Sequence, residues 1–226
     1  MSQDTTAAPA TPATVLLIDD HPLVRKGMVD LINGESDLKV VADVGTVAEA
    51  VDAVGKHQPQ IVVCDLSLRD GSGLDLIRQL HQTYPSIPIL VLSMHDESLY
   101  AERVLRHGAS GYIMKHEATD QVLAAIRQVL KGEMYLSPAL AGQLLQRLVV
   151  TKTAPGQSPL TKLSDRELEI FQLIGRGLPS RQIAEMLFLS VKTVETHREN
   201  IKRKLGINSA GELLRFAIEQ SLAGKD

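Results

Sequence analysis

Residues 14–19, "TVLLID", are a short apolar run rich in β-formers that closes on a carboxylate, and the run is answered four times further along the chain. "LKVVAD" (38–43), "QIVVCD" (60–65), "IPILVLS" (87–93) and "SGYIMK" (110–115) have the same form. Between them the apolar residues recur at three and four, which predicts helices near 21–33, 46–56, 72–82, 96–106 and 118–130. Near-continuous apolar strands alternating with amphipathic helices are buried on both faces. The economical fold is α/β, a five-stranded parallel sheet wound with helices on both sides. In such a sheet, ligand chemistry belongs at the carboxyl ends of the strands.

That rule selects residues directly. The first strand runs out at Asp19 and Asp20, the third at Asp65, the fourth at Ser93 and the fifth at Lys115. Carboxylates gathered at one end repel each other unless a hard cation neutralises them, and Mg²⁺ is the intracellular ion suited to an oxygen-donor site. A phosphoryl group held there would find Asp65 as nucleophile and Asp19 and Asp20 on the metal. Lys115 would pair with phosphate oxygens and Ser93 would donate a hydrogen bond to one of them. Each residue alone has a plain reading: strand-end acids cap helices, Ser93 can form a turn and Lys115 can be a surface charge. Their convergence at one end favours the site.

The last third reads differently. In "PSRQIAEMLFLSVKTVETHRENIKRKLGI" (179–207), Pro179 and Ser180 open a helix of roughly three turns after the breaker Gly177, and Ser190 caps a second. Val194, His197, Ile201 and Leu205 recur at helical spacing and face inward. Two short helices at a tight turn predict a helix-turn-helix, and therefore DNA as partner. The outward candidates for DNA contact are Lys192, Thr193, Glu195, Thr196, Arg198, Lys202 and Arg203, with N-terminal residues placed to read bases and later ones to hold phosphate. The plain alternative is a solvated helix carrying ordinary ion pairs. From Leu160 onward there are eleven Lys/Arg against nine Asp/Glu, and before it thirteen against eighteen. A surplus of only two positive charges gives weak nonspecific attraction, so affinity calls for two copies on one site.

A chain of 226 residues suits two domains. "TKTAPGQSPLTK" (151–162) has too few apolar anchors for a core and reads as a linker, while "SPALAGQLLQRLVV" (137–150) reads as a connector helix opened by Ser137 and Pro138. The opening Pro/Ala/Thr-rich residues form a predicted disordered tail. The single cysteine, Cys64, sits in a core strand and supports neither a disulfide within the chain nor a zinc site. No apolar run is long enough to span a membrane and no signal sequence is evident, so the expected location is the cytoplasm.

Residues 14–130 resemble the receiver domain of bacterial two-component response regulators, on the motifs "LLIDDHPLVRKGM", "VVCDLSLRDGSGLDLI", "VLSMHD" and "GYIMKHE". Residues 160–220, through "LSDRELEIFQLIGRGLPSRQIAEMLFLSVKTVETHRENIKRKLGI", resemble the LuxR-type DNA-binding domain. The order of the two is that of the NarL/FixJ class, over about four fifths of the chain. Composition and resemblance together give a tail at 1–13, a receiver at 14–132, a connector and linker at 133–159, and a DNA-binding domain at 160–222. The resemblance implies that a histidine kinase or a small phosphodonor phosphorylates Asp65, that the backbone carbonyl of Ser67 joins the metal ligands, and that Tyr112 is a switch aromatic. It also implies a helix near 191–205 on operator DNA and a homodimer contact near 210–220.

Three residues depart from that pattern. Arg69 and His116 stand where receivers commonly have proline, and Glu195 stands where many LuxR-type domains have lysine. An acid there would repel backbone phosphate, but it could accept from a cytosine amine or orient Arg198. His21 is explained as well by helix initiation as by the metal site, and His197 reads as a packed histidine; neither has zinc-like spacing around it. The function read from the chain is a phosphorylation switch controlling DNA binding, with slow self-dephosphorylation and no other enzymatic activity. Two further classes stay open: a DNA-binding protein whose receiver is degenerate and controlled by a partner or by abundance, and an enzyme acting on a diffusible phosphate ester.

Overall fold

The computed structural model describes residues 11–95, 97–117, 119–142 and 158–223. Its first part contains β1 (Ala13–Ile18), α1 (Pro22–Asn33), β2 (Leu38–Val44), α2 (Val47–His57) and β3 (Ile61–Cys64). A two-strand hairpin, β4 (Ser67–Leu68) and β5 (Gly71–Ser72), precedes α3 (Gly73–Thr83). The chain then runs through β6 (Ile89–Ser93), α4 (Glu97–Arg106), β7 (Gly111–Met114) and α5 (Thr119–Leu130). The main sheet has the order β2-β1-β3-β6-β7 and every pairing in it is parallel. The predicted α/β fold and its five principal strands are therefore present.

Alternation along the strands divides the core. Val15 and Leu17 pack with Ile32, Val122 and Ile126 on one face, while Leu16 and Ile18 pack with Ala50, Val54 and Ile77 on the other. All of these side chains are buried, so neither face of the sheet can turn to water. Thr46 and Ser72 begin α2 and α3 by accepting from the N–H groups of Glu49 and Asp75. Since helices cover both faces, the strand ends are where the sheet can present polar groups to a ligand.

The second part is all α. A 3₁₀ turn (Pro159–Lys162) leads to α6 (Asp165–Gly175), α7 (Ser180–Met186), α8 (Val191–Leu205) and α9 (Ala210–Ala223). Ser164 and Glu167 form a reciprocal capping box at the start of α6. Phe171, Ile183, Val194, Ile201, Leu213 and Ala217 make the buried centre of the bundle. Helix α7 is shorter than predicted: seven residues, or about two turns, rather than three. Leu187 leaves helical geometry and Phe188 adopts φ +53°, a left-handed conformation that halts the helix and turns the chain into Ser190. The predicted opening of the connector helix at Ser137 is seen, with Leu140 N–H donating to its hydroxyl and residues 138–142 helical. The remainder of that segment through 157, and the tail through 10, lie outside the described residues.

Candidate functional site: an acidic pocket and an exposed helix face

Parallel pairing brings the predicted strand-end residues together. β1, β3 and β6 are neighbours, with Ile18 opposite Cys64 and Cys64 opposite Val91, so Asp19 and Asp65 leave adjacent strands at the same end. Asp19, Asp20, His21 and Asp65 each offer a ligand atom, and those atoms lie within 4.8 Å of one another. Asp19 and Asp65 are 1% and 3% exposed, too buried for water to screen their repulsion. Lys115 Nζ lies 2.6 Å from Asp19 Oδ2 and 2.7 Å from Asp65 Oδ2.

Burial pushes the Asp65 carboxyl above the usual range, against the pull of Lys115 and of the Ser67 N–H that donates to it. Burial also disfavours charge on Lys115, but the surrounding carboxylates outweigh it and hold its pKa above the ordinary lysine value. Three carboxylates around one buried ammonium leave a net negative pocket. Among the described residues, Asp19 Oδ2 and Asp20 Oδ1 are buried without a hydrogen-bond partner, with Lys115 Nζ 2.6 Å from the first and His21 Nδ1 2.7 Å from the second. The three carboxylates of the cluster, oxygen donors with surplus negative charge, suit Mg²⁺. Bound there, Mg²⁺ would supply charge neutralisation for a transferring phosphoryl group.

Ser93 is fully buried at the end of β6, and its hydroxyl accepts from the His95 N–H at 3.2 Å. Tyr112 is also fully buried, its hydroxyl donating to the His95 carbonyl at 2.5 Å. His95 itself was not singled out by the sequence. Its Nε2 lies 2.9 Å from Ser67 Oγ, its ring stacks on Tyr100 with centroids 4.7 Å apart, and burial lowers its pKa to about 4, so the ring is neutral. Arg69, exposed at the turn of the β4–β5 hairpin, reaches toward Asp20 at 3.4 Å. Asp70, from the same hairpin, accepts from the Val47 N–H at the start of α2 and so anchors the loop that follows Asp65.

The two parts of the chain touch through α4. Arg103 donates to Asp165 Oδ1 at 2.7 Å and to the carbonyls of Leu160 and Leu163 at 3.2 and 2.8 Å. His107 Nε2 lies 2.7 Å from the other Asp165 oxygen. Tyr100, Leu173 and Leu187 line the crevice between the two parts.

Helix α8 is left open. Ser190 caps it by accepting from the Thr193 N–H, and Gly206 ends it at φ +70°. Val194 and Ile201 are buried, His197 is half-buried with Nδ1 unpartnered among the described residues, and Lys192, Glu195, Thr196, Glu199 and Arg203 are exposed. Arg198 and Lys202 flank that stripe with side chains 17% and 18% exposed. Thr193 is half-buried, with its hydroxyl 2.7 Å from Ser190 Oγ.

A wound parallel sheet ending in an acidic, lysine-bridged pocket, followed by a capped helix-turn-helix, defines a two-component response regulator. Two family descriptions match the chain, "Response regulator receiver domain" over residues 15–127 and "Bacterial regulatory proteins, luxR family" over 161–217. The chain belongs to the response regulators of the NarL/FixJ class, as phosphorylation-dependent DNA-binding proteins of two-component systems. It is similar to the oxygen regulatory protein NreC of Staphylococcus aureus, at 40% identity over 92% of this chain and 98% of that protein. Among solved structures it is similar to RcsB of Salmonella enterica serovar Typhimurium, bound to a promoter with the phosphomimetic BeF₃⁻. That likeness has a TM-score of 0.69 and 25% identity, covering 92% of this chain and 98% of the other. A LuxR-family response regulator of Aurantimonas sp. SI85-9A1 matches at TM-score 0.58 and 33% identity, over 62% of this chain and all of that one. The receiver carries the machinery of self-phosphorylation rather than of a turnover enzyme. Among the described residues, no helix is long and apolar enough to cross a membrane.

Proposed function

We propose that Asp65 is the phosphoacceptor of this regulator and that its phosphorylation controls how a homodimer binds operator DNA. The observation that carries the assignment is the Lys115 ammonium lying between Asp65 and Asp19, with the second acid of the pair, Asp20, in the same cluster. In the transfer, an Asp65 oxygen forms a bond to phosphorus while the donor's bond to phosphorus breaks. The donor is a phosphohistidine of a cognate kinase or a small acyl phosphate. Asp19, Asp20, Asp65 and the Ser67 carbonyl would hold Mg²⁺. Lys115 pairs with a phosphoryl oxygen and Ser93 donates its hydroxyl to another. Leaving its present acceptor role toward the His95 N–H, Ser93 loosens the start of the loop that Tyr112 also holds, and Tyr112 serves as the switch aromatic.

The domain limits that follow are a tail at 1–13, a receiver at 14–132, a connector and linker at 133–159, and a DNA-binding domain at 160–222. Lys192, Thr193, Glu195, Thr196, Arg198, Lys202 and Arg203 make the DNA contacts, and residues near 210–220 carry a dimer contact. The promoter-bound RcsB neighbour supports this reading of α8. The protein works in the cytoplasm, where kinase and DNA are both accessible.

Intact-mass measurement after incubation with Mg²⁺ and acetyl phosphate tests the phosphoacceptor. One phosphate on the native chain and none on Asp65→Ala is expected. Equal labelling of the two would remove Asp65 from the role, and no labelling of the native chain would favour a degenerate receiver controlled in another way.

A further inference from the structure

The outward stripe of α8 is not the basic surface its flanks suggest. Its five exposed polar side chains are Lys192, Glu195, Thr196, Glu199 and Arg203, two cations and two anions around one hydroxyl. The cations stand at the ends, separated by about 16 Å along the helix axis, and the acids stand between them. This order suits a helix crossing the major groove, with cations toward phosphates and the middle facing base edges. Carboxylates in that middle position are repelled by phosphate unless a base donor meets them.

Glu195 is the acid free to do so. Glu199 is held by Lys202 Nζ at 2.9 Å, whereas among the described residues Glu195 reaches only Arg198 Nε at 3.9 Å, beyond hydrogen-bond distance, and is 53% exposed. The neighbouring hydroxyl donors are already used: Thr196 Oγ1 donates to the Lys192 carbonyl, and Thr193 Oγ1 is paired with Ser190 Oγ. Resting on the reading that α8 enters the groove, we infer that Glu195 is a specificity-determining residue that accepts from the exocyclic amine of a cytosine.

The choice of base follows from the acceptor-only character of a carboxylate. Adenine also offers an amine in the major groove, but its N7 acceptor lies beside it and repels a second acceptor. Cytosine presents N4–H₂ with no acceptor of its own there. The amide of glutamine, which both donates and accepts, has the opposite preference and pairs with adenine N6 and N7.

The test is selection of bound sequences from random duplex DNA at one fixed salt concentration. It uses the full-length chain with Mg²⁺ and acetyl phosphate, comparing the native protein with Glu195→Ala, Glu195→Gln and Lys192→Ala. The native chain is expected to select a cytosine at one position of each half-site, with replacement by thymine weakening binding about five- to 150-fold. Glu195→Ala should keep the rest of the site and lose discrimination there, and Glu195→Gln should shift it to adenine. An unchanged selected sequence in Glu195→Ala, with tighter binding to every duplex and a steeper salt dependence, would overturn the inference and leave Glu195 facing phosphate. If the native chain selects no sequence and Lys192→Ala leaves its salt dependence unaltered, the groove-entering reading fails as well.

Discussion

Replacing Arg103 by alanine removes the principal polar tie between the two parts of the chain. The guanidinium is 14% exposed and donates to Asp165 and to the Leu160 and Leu163 carbonyls. The Asp165 side chain is 38% exposed, so solvent screening limits its pair with Arg103 to about 1 kcal/mol. Each carbonyl loses a charged donor but can recover water on opening, about 0.5–1 kcal/mol apiece. Together these give about 2–3 kcal/mol, or a shift of about 30- to 150-fold in the equilibrium between docked and separated domains. His107 still holds the second Asp165 oxygen, so docking is weakened rather than abolished. Spin labels on Asp52→Cys and Arg215→Cys, both exposed positions, report the separation without touching buried Cys64. Pulsed dipolar spectroscopy should give a narrow distance distribution in the parent and a broader, longer one once Arg103→Ala is added. Identical distributions would show that these hydrogen bonds do not hold the domains, and would refute the reasoning.

Gly73→Ala should disturb phosphorylation from a distance, because an added Cβ would lie 2.5 Å from Leu66 Cα and 2.6 Å from its carbonyl oxygen, both backbone atoms next to Asp65. A loss of about 1–3 kcal/mol in thermal or denaturant unfolding, together with slower acyl-phosphate formation, is expected; native behaviour in both would contradict the packing. For Glu167, burial raises the carboxyl pKa, but donors from Lys204 and Ser164 outweigh it and hold it below the usual value. Its stabilising contribution is therefore present above the unfolded-state pKa, near 4.3, and is lost as pH falls through the folded-state value. Glu167→Gln should destabilise the DNA-binding domain at neutral pH by about 1–2 kcal/mol, with the difference from the parent shrinking in acid; a pH-independent difference would rule out the charge. Lys192→Ala should reduce the slope of log affinity against log salt by about 0.9 while leaving acyl-phosphate formation intact, and an unchanged slope would remove its phosphate contact.

The sheet and the acidic pocket were legible because both rest on short-range regularities. Strands such as "QIVVCD" end in the polar residue they present, and parallel pairing brings those ends together without further instruction. The cap at Ser190 follows an equally local rule. What the sequence did not disclose depends on contacts between distant positions. Asp70 caps α2 from 23 residues away, and Arg103 meets Asp165 from 62 residues away, so no periodicity announces either. His95 reads locally as a loop residue and becomes a junction only when Ser67, Tyr100 and Tyr112 converge on it. The length of α7 was overestimated for a related reason. "AEMLFL" keeps an apolar helical appearance through Phe188, whose left-handed backbone is imposed by the turn that docks α8.

The most direct test of the central claim is DNA affinity measured against phosphate occupancy in the same samples. A duplex selected by the native protein is titrated with chain carrying increasing acyl phosphate, with occupancy read by intact mass and Asp65→Ala carried through identical treatment. Affinity should climb in step with phosphate on the native chain and stay flat for Asp65→Ala. A native chain that gains phosphate with no change in affinity, or an Asp65→Ala protein that responds to the phosphodonor like the native one, would contradict a switch seated at Asp65.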